Sequence, residues 1–113
     1  MIRSEIWRIN LNPAKGGEIF KIRPCIIVSN DAVGILPLKV IVPITEWKER
    51  YNSADWMVKI TPDTLNNLAK NSAADCFQVR SLSTERFVEK IGEVSDNYME
   101  QIEEALAIVL NIK

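Results

Sequence analysis

Apolar and polar residues alternate near the beginning of the chain. From Glu5 to Leu11, large apolar side chains at positions 7, 9 and 11 alternate with polar ones. A period of two residues is typical of a strand with one buried face. Residues 12–22 are mostly polar and contain Pro13, Gly16 and Gly17, which indicates a mobile loop after this strand.

Two short β-branched runs then predict buried strands. Pro24–Ser29 and Lys39–Ile44 are continuous apolar segments of strand length. Pro43 has no backbone N–H to donate, which places that end of the second run at a sheet edge or a bulge. Three further strands are predicted at Trp56–Ile60, Ala73–Val79 and Val88–Val94.

The end of the chain predicts a helix. Ser95 is a favourable N-cap, and Met99, Ile102, Leu106 and Val109 recur at helical spacing. Short helical turns are predicted at Thr61-Pro62 and at Ser83-Thr84. These elements predict an α+β fold, in which a small, strongly bent sheet carries a C-terminal amphipathic helix and residues 1–113 form one domain.

Composition narrows the chemistry available to the chain. It has 113 residues, no histidine and two cysteines that stand apart from other metal-ligating residues, so we expect no metal and no other cofactor. No apolar run is long enough for a membrane span, and the amino terminus lacks the apolar core of a signal peptide, which predicts a cytoplasmic protein. The 14 basic and 15 acidic residues give a net charge of −1; any nucleic-acid binding must therefore be local.

Four segments, taken in order, resemble one known family. They are EIWRINLNPAKGGE at 5–18, KIRPCIIVSND at 21–31, VIVPIT at 40–45 and CFQVRS at 76–81. The first is similar to an opening strand and glycine-containing loop, the second to an Arg-Pro strand, and the third to a Pro-x-Thr strand end. Together they resemble the MazF/PemK family of toxin endoribonucleases over nearly the whole chain.

The resemblance implies both a fold and an activity. The fold would be a small SH3-like β-barrel with short helical turns and a C-terminal helix, usually as a homodimer. The activity would be metal-independent cleavage of single-stranded RNA at a short sequence, as an mRNA interferase toxin that causes growth arrest. A cognate antitoxin protein that covers the RNA groove is implied as a partner.

The resemblance gives catalytic roles to Arg23 and Thr45. Without a metal, the adjacent 2′-hydroxyl attacks the phosphate, and an arginine suits the resulting dianionic phosphorane because its planar fork stays charged and presents paired donors. Thr45 would add a hydroxyl donor, and Glu18 would orient Arg23 or the 2′-hydroxyl. The alternatives are an ion pair of Arg23 with Glu18 or Glu5 and an ordinary turn hydroxyl for Thr45.

Six further residues are predicted to contact RNA. Gln78 would read a base edge and Arg80 would bind a phosphate or stack on a base, while the indole of Trp47 would stack on a base. The alternative for Trp47 is packing over a barrel edge. The other predicted RNA contacts lie in the loop after the first strand: Lys15, Gly17 and Lys21.

Two departures from the family pattern leave other functions open. Gly17 stands where many members have serine, and Phe77 stands where an acidic residue often precedes the glutamine. An inactive relative that serves as a binding module is therefore one alternative. Another is a non-enzymatic toxin on the same barrel that poisons a topoisomerase by protein contact.

Overall fold

The computed structural model describes residues 1–113 and contains seven strands and one α-helix. The strands are β1 (Glu5–Asn10), β2 (Ile22–Ile27), β3 (Leu38–Glu46), β4 (Met57–Ile60), β5 (Ser72–Asp75), β6 (Arg80–Ser83) and β7 (Phe87–Glu93), and the helix is α1 (Asp96–Leu110). Three short 3₁₀ segments, Glu49–Ser53, Cys76–Gln78 and Thr84–Arg86, connect them. Neither α1 nor any 3₁₀ segment is long and apolar enough to cross a membrane.

The strands form one antiparallel sheet in the order β4-β5-β3-β2-β1-β7, with β6 also paired to β3. Strand β3 is shared by both halves of the sheet. Its first part pairs with β6 as far as Ile41, and its last part pairs with β5 from Ile44 onward. The long strand therefore changes partners at Val42 and Pro43.

The position of Pro43 differs from the prediction of an edge or bulge. It lies inside β3, opposite Cys25 of β2. On its other side the ladder is interrupted where β6 gives way to β5. A residue without an N–H is tolerated at such an interruption, because fewer ladder hydrogen bonds are required there.

The loop between β4 and β5 reaches across to β7. The backbone N–H of Glu93 donates to the carbonyl of Leu65 at 3.1 Å, and the side-chain amide of Asn67 donates to the carbonyl of Ile91 at 3.0 Å. Gly92 permits this approach, since a Cβ there would lie 2.5 Å from the Leu65 oxygen. The loop thus bridges the two ends of the bent sheet. The predicted α+β fold, a small SH3-like barrel with a C-terminal helix, is confirmed.

The second half of β2, Cys25–Ile27, is buried on both faces. Ile26 belongs to a large apolar cluster that includes residues of α1, whereas Cys25 and Ile27 belong to a smaller cluster with Ile9 and Leu11. Two buried faces explain why this strand is a continuous apolar run instead of an alternating one. The strand carries Arg23 at its exposed end.

The predicted helix and its cap are confirmed. The Ser95 hydroxyl accepts a hydrogen bond from the Tyr98 N–H at 3.3 Å, as expected of an N-cap. Met99 and Ile102 are buried against the large cluster, and the next turns are partly buried. The helix therefore covers one side of the sheet.

Two local predictions need correction. No helical turn starts at Thr61; the carboxylate of Asp63 instead accepts from the N–H groups of Leu65 and Asn66, at 2.9 and 2.7 Å. The strand predicted over 73–79 ends at Asp75, because the Asp75 carboxylate caps the 3₁₀ segment Cys76–Gln78. This early end turns the following residues toward the loop between β1 and β2.

Candidate functional site

Two grooves lie side by side along β3. The first, here called the Arg23 groove, has a volume of about 280 Å³ and is lined by residues of β2, β3, β5 and the segments that follow β3 and β4, among them Arg23, Thr45, Lys48, Lys70 and Ser72. The second, the Arg80 groove, has a volume of about 610 Å³ and is lined by residues including Glu18, Pro43, Phe77, Gln78 and Arg80. Pro43 and Thr45 are two residues apart on β3, roughly 7 Å, and each lines one of the two grooves.

Arg23 and Thr45 are brought together as the sequence predicts. Cys25 pairs with Pro43 at the end of the antiparallel β2–β3 ladder, and Arg23 and Thr45 each lie two residues beyond that pair. Residues two apart on a strand share a face. Both side chains accordingly line the Arg23 groove.

The guanidinium of Arg23 is exposed and forms no salt bridge. Its Nε donates to the carbonyl of Phe20 at 3.3 Å, which orients the fork. Arg23 therefore does not form the alternative ion pair with Glu18 or Glu5. Its terminal nitrogens are therefore free to bind an anion in the groove.

The Arg23 groove concentrates positive charge. Lys48 and Lys70 join Arg23 in its lining, against the single carboxylate of Glu46. Lys70 lies 3.2 Å from that carboxylate, but the pair is exposed and therefore weak. A protein with a net charge of −1 thus presents a local cationic site of the kind that phosphate binding requires.

Glu18 lies in the other groove. Its carboxylate accepts from the Lys15 N–H at 2.6 Å, and its own N–H donates to the Lys15 carbonyl at 3.1 Å. These two bonds close a small loop in which Gly16 has a φ of +55°. The structure does not bring Glu18 together with Arg23 and Thr45.

Gln78 holds the peptide groups on both sides of Glu18. Its Nε2 donates to the Gly17 carbonyl at 3.2 Å, and its Oε1 accepts from the Ile19 N–H at 2.6 Å. Both ends of the amide are therefore occupied within the protein. The predicted base contact by Gln78 stays a prediction, and it requires the amide to exchange these partners for a base.

Asp75 is a site residue that sequence reasoning missed. It is buried, and its two carboxylate oxygens accept from the Phe77 N–H at 3.1 Å and from Gln78 Nε2 at 3.2 Å. Burial raises the pKa of Asp75, while the hydrogen bonds from Phe77 and Gln78 act in the opposite direction. An acidic residue directly after the apolar pair Ala73-Ala74 was the available signal.

Arg80 and Gly17 both line the Arg80 groove. Arg80 is half-buried in the lining of its groove and makes no salt bridge. Gly17 lines the same groove, and a Cβ placed on it would meet no atom within 4 Å. The serine common in the family would therefore fit here without steric strain.

The other three predicted RNA contacts lie outside the linings of both grooves. Lys15 and Lys21 are exposed, and the Lys21 ammonium lies 5.2 Å from the Phe20 ring centre. Trp47 is half-buried, packs edge-on against Tyr51 and has the Lys59 ammonium 5.2 Å from its ring centre. The contact with Tyr51 agrees with the alternative that Trp47 serves in packing. The RNA contacts of Lys15, Lys21 and Trp47 stay predictions.

No three His, Cys, Asp or Glu side chains are grouped so that they could hold a metal ion. The chemistry of the two grooves is that of guanidinium, ammonium, hydroxyl and carboxylate groups. The candidate site is accordingly a cationic groove with hydroxyl donors, joined to a second groove by β3.

Comparison with known proteins identifies relatives over the whole chain. Residues 2–110 match a family described as PemK-like, MazF-like toxin of type II toxin-antitoxin system. Endoribonuclease MazF9 of Mycobacterium tuberculosis (strain ATCC 25618 / H37Rv) is 31% identical over 118 residues, which cover 99% of this chain and 98% of the relative.

Solved structures share the fold. MazF from Deinococcus radiodurans superposes with a TM-score of 0.82 at 20% identity, covering 99% of this chain and 97% of that one. A mycobacterial endoribonuclease in complex with its cognate antitoxin gives a TM-score of 0.80 at 22% identity, covering 100% and 97% of the two chains. At these identities the likeness establishes the arrangement of the elements.

Proposed function

The chain belongs to the family of PemK-like, MazF-like toxins of type II toxin-antitoxin systems, and from that premise we propose that it is a metal-independent endoribonuclease for single-stranded RNA. The observation that carries the proposal is the presence of both Arg23 and Thr45 in the lining of one groove. The relative named as an endoribonuclease, at 31% identity over nearly the full chain, supports the reaction class.

The proposed reaction is an internal transesterification. The 2′-oxygen attacks the adjacent phosphorus, the bond between phosphorus and the 5′-oxygen breaks, and the 2′-proton is lost while the 5′-oxygen gains one. The products are a 2′,3′-cyclic phosphate and a 5′-hydroxyl. The intermediate phosphorane carries more negative charge than the starting diester, so donors aimed at it accelerate the reaction.

Arg23 and Thr45 supply those donors in the proposal. The guanidinium fork binds two phosphorane oxygens, and the Thr45 hydroxyl binds a third or the leaving oxygen. Lys48 and Lys70, which line the same groove, hold neighbouring phosphates. Orientation of the substrate by Glu18 requires its carboxylate to leave the Lys15 N–H, where it is now bound.

The second groove receives the continuing RNA strand in this proposal. Arg80 meets a phosphate there, and Gly17 gives the backbone close access because it has no side chain. Sequence selectivity arises from base contacts in this groove, with Gln78 as the predicted reader of one base edge.

We further propose that the whole chain, residues 1–113, is one toxin domain that acts in the cytoplasm. Its partners are a cognate antitoxin protein and a second copy of itself. A related fold is solved in complex with its cognate antitoxin, which supports the first partner. Exposed apolar side chains in the loop before β3, including Val33, Ile35 and Leu36, support a protein contact.

The chemistry of the cut ends tests the proposed reaction. Incubation with a long single-stranded RNA should yield fragments with 2′,3′-cyclic phosphate and 5′-hydroxyl termini, and a 2′-O-methyl group at a mapped cut site should block that cut alone. Fragments with 5′-phosphate termini would refute 2′-oxygen attack. Intact RNA with a folded protein would instead favour the toxin that acts by protein contact or the inactive relative.

A further inference from the structure

Two exposed aromatic side chains lie at one end of the Arg80 groove. Trp56 precedes β4 and Phe77 lies in the 3₁₀ segment Cys76–Gln78, with ring centres 6.2 Å apart and ring planes inclined by 60°. Phe77 is 70% exposed and Trp56 is 39% exposed. The two rings are in contact and both are accessible to a ligand.

Phe77 joins the Arg80 groove to an apolar hollow. It lines the Arg80 groove beside Gln78 and Arg80, and it also lines a hollow of about 250 Å³ formed with Trp56, Ile108 and Val109. A ligand that follows the groove past Arg80 therefore meets an aromatic ring and then an apolar recess.

The backbone beneath both rings is fixed. The Cys76 N–H donates to the Trp56 carbonyl at 3.1 Å, and the Phe77 N–H donates to the Asp75 carboxylate at 3.1 Å. The two rings thus stand on segments that are bonded to each other. A preorganised aromatic pair loses little conformational entropy when a planar ligand stacks on it.

From this geometry we infer that Phe77 and Trp56 form a stacking site for one unpaired base of the RNA, an inference that rests on the proposed function. Single-stranded nucleic acid is held by cations along its backbone and by aromatic rings under its bases. Arg80 and Phe77 supply one of each along the same groove. An acidic residue often stands at position 77 in the family and would offer hydrogen bonds or charge. Phe77 would offer a stacking contact to a base instead.

An abasic scan tests the stacking site directly. The probe is a short RNA around a mapped cut site, with a 2′-deoxy nucleotide there to prevent cleavage and a single abasic nucleotide moved along it. Affinity is measured by fluorescence anisotropy for the wild type and for Phe77→Ala. Phe77→Trp retains an aromatic ring, Phe77→Leu retains only apolar bulk, and Val88→Ala removes an exposed apolar side chain that lines neither groove.

We expect Phe77→Ala and Phe77→Leu to weaken binding by about 5- to 150-fold, while Phe77→Trp and Val88→Ala bind like the wild type. One abasic position should weaken binding to the wild type and have no further effect on Phe77→Ala. Full affinity of Phe77→Leu, or an abasic scan that is unchanged by Phe77→Ala, would overturn the stacking site.

Two other outcomes separate this inference from the proposed function. A wild-type protein that cleaves RNA while Phe77→Ala binds it equally well would overturn the stacking site alone, and a change in molecular mass by light scattering in that variant would assign the rings to a protein contact. A folded wild-type protein that neither binds nor cleaves RNA would overturn the proposed function together with the inference.

Discussion

The carboxylate of Asp75 accepts a hydrogen bond from the side-chain amide of Gln78 at 3.2 Å. Gln78 in turn bonds the backbone of Gly17 and Ile19. The end of β5 is therefore connected through one amide to the loop that carries Glu18. This connection holds the loop against the end of β5.

Replacement of Gln78 should loosen that loop. Gln78→Leu removes both side-chain bonds to the loop, and each such bond contributes about 1 kcal/mol. Because the two bonds together contribute about 2 kcal/mol, we expect the Ile19 amide to exchange with solvent roughly 30-fold faster. Hydrogen exchange followed by mass spectrometry or NMR measures this, with the exposed Gln101→Leu on α1 as the matched control; equal protection of Ile19 in both variants would contradict the connection.

The carboxylate of Glu5 should make the free energy of unfolding depend on pH. Burial by itself would raise its pKa, but hydrogen bonds from the Trp7 indole, the Ile2 N–H and Lys90, together with the N-terminal charge, lower the pKa of Glu5 from 4.5 to about 2. Because the folded-state pKa is depressed, this stability is present above about pH 4.5 and is lost as the pH falls toward 2.

Urea denaturation across this pH range checks the role of Glu5. Glu5→Gln should cost about 2 kcal/mol near neutral pH, the usual value for hydrogen bonds to a charged group. The difference between the two proteins should shrink as the pH is lowered. A constant difference down to the acid limit would show that the Glu5 charge contributes nothing to stability.

Both cysteines should resist alkylation in the folded protein. Burial raises the pKa of Cys25 and of Cys76 to about 12, with the nearby Arg80 charge opposing the shift at Cys25 and Asp75 adding to it at Cys76. The thiolate is the reactive form. Iodoacetamide at mildly alkaline pH should leave both thiols unlabelled in the native state and label both in concentrated guanidinium, and rapid native labelling of either would contradict the burial described above.

The close approach at Gly92 should tolerate no side chain. Gly92→Ala places a methyl group 2.5 Å from the Leu65 carbonyl oxygen and 2.8 Å from that of Asn66, and such overpacking typically costs about 1 to 3 kcal/mol. Thermal unfolding should show the loss. Gly17→Ala is the matched control because its added methyl meets no atom within 4 Å; equal melting temperatures for the two variants would refute the contact between the β4–β5 loop and β7.

Most of the fold could be predicted from local patterns. The alternation of apolar and polar residues predicted β1, and a continuous apolar run predicted β2. The Ser95 cap and the helical spacing of apolar residues after it predicted α1. The position of Pro43 was predicted incorrectly. A proline is tolerated inside β3 because β6 gives way to β5 there, and this depends on the pairing of distant segments. Periodicity along the chain carries no information about such pairings.

The site was only partly predictable for the same reason. Arg23 and Thr45 lie on neighbouring strands with recognisable motifs, so their shared groove could be predicted, whereas Lys70 reaches the groove from a distant loop. Glu18 was predicted to act beside Arg23 because its loop resembles the catalytic loop of the family, yet its carboxylate is bound to the Lys15 N–H. Side-chain hydrogen bonding within the loop decided its position.

The most direct test of the central claim is cleavage of a long single-stranded RNA in excess EDTA, with the cut ends mapped for the wild type, Arg23→Ala and Arg50→Ala. Arg50 is an exposed arginine that lines neither groove and is the matched control. We predict discrete cuts by the wild type and by Arg50→Ala, and a loss of at least about a hundredfold in rate for a folded Arg23→Ala protein. Undiminished cleavage by Arg23→Ala, or cleavage that EDTA abolishes, would contradict a metal-independent ribonuclease centred on Arg23.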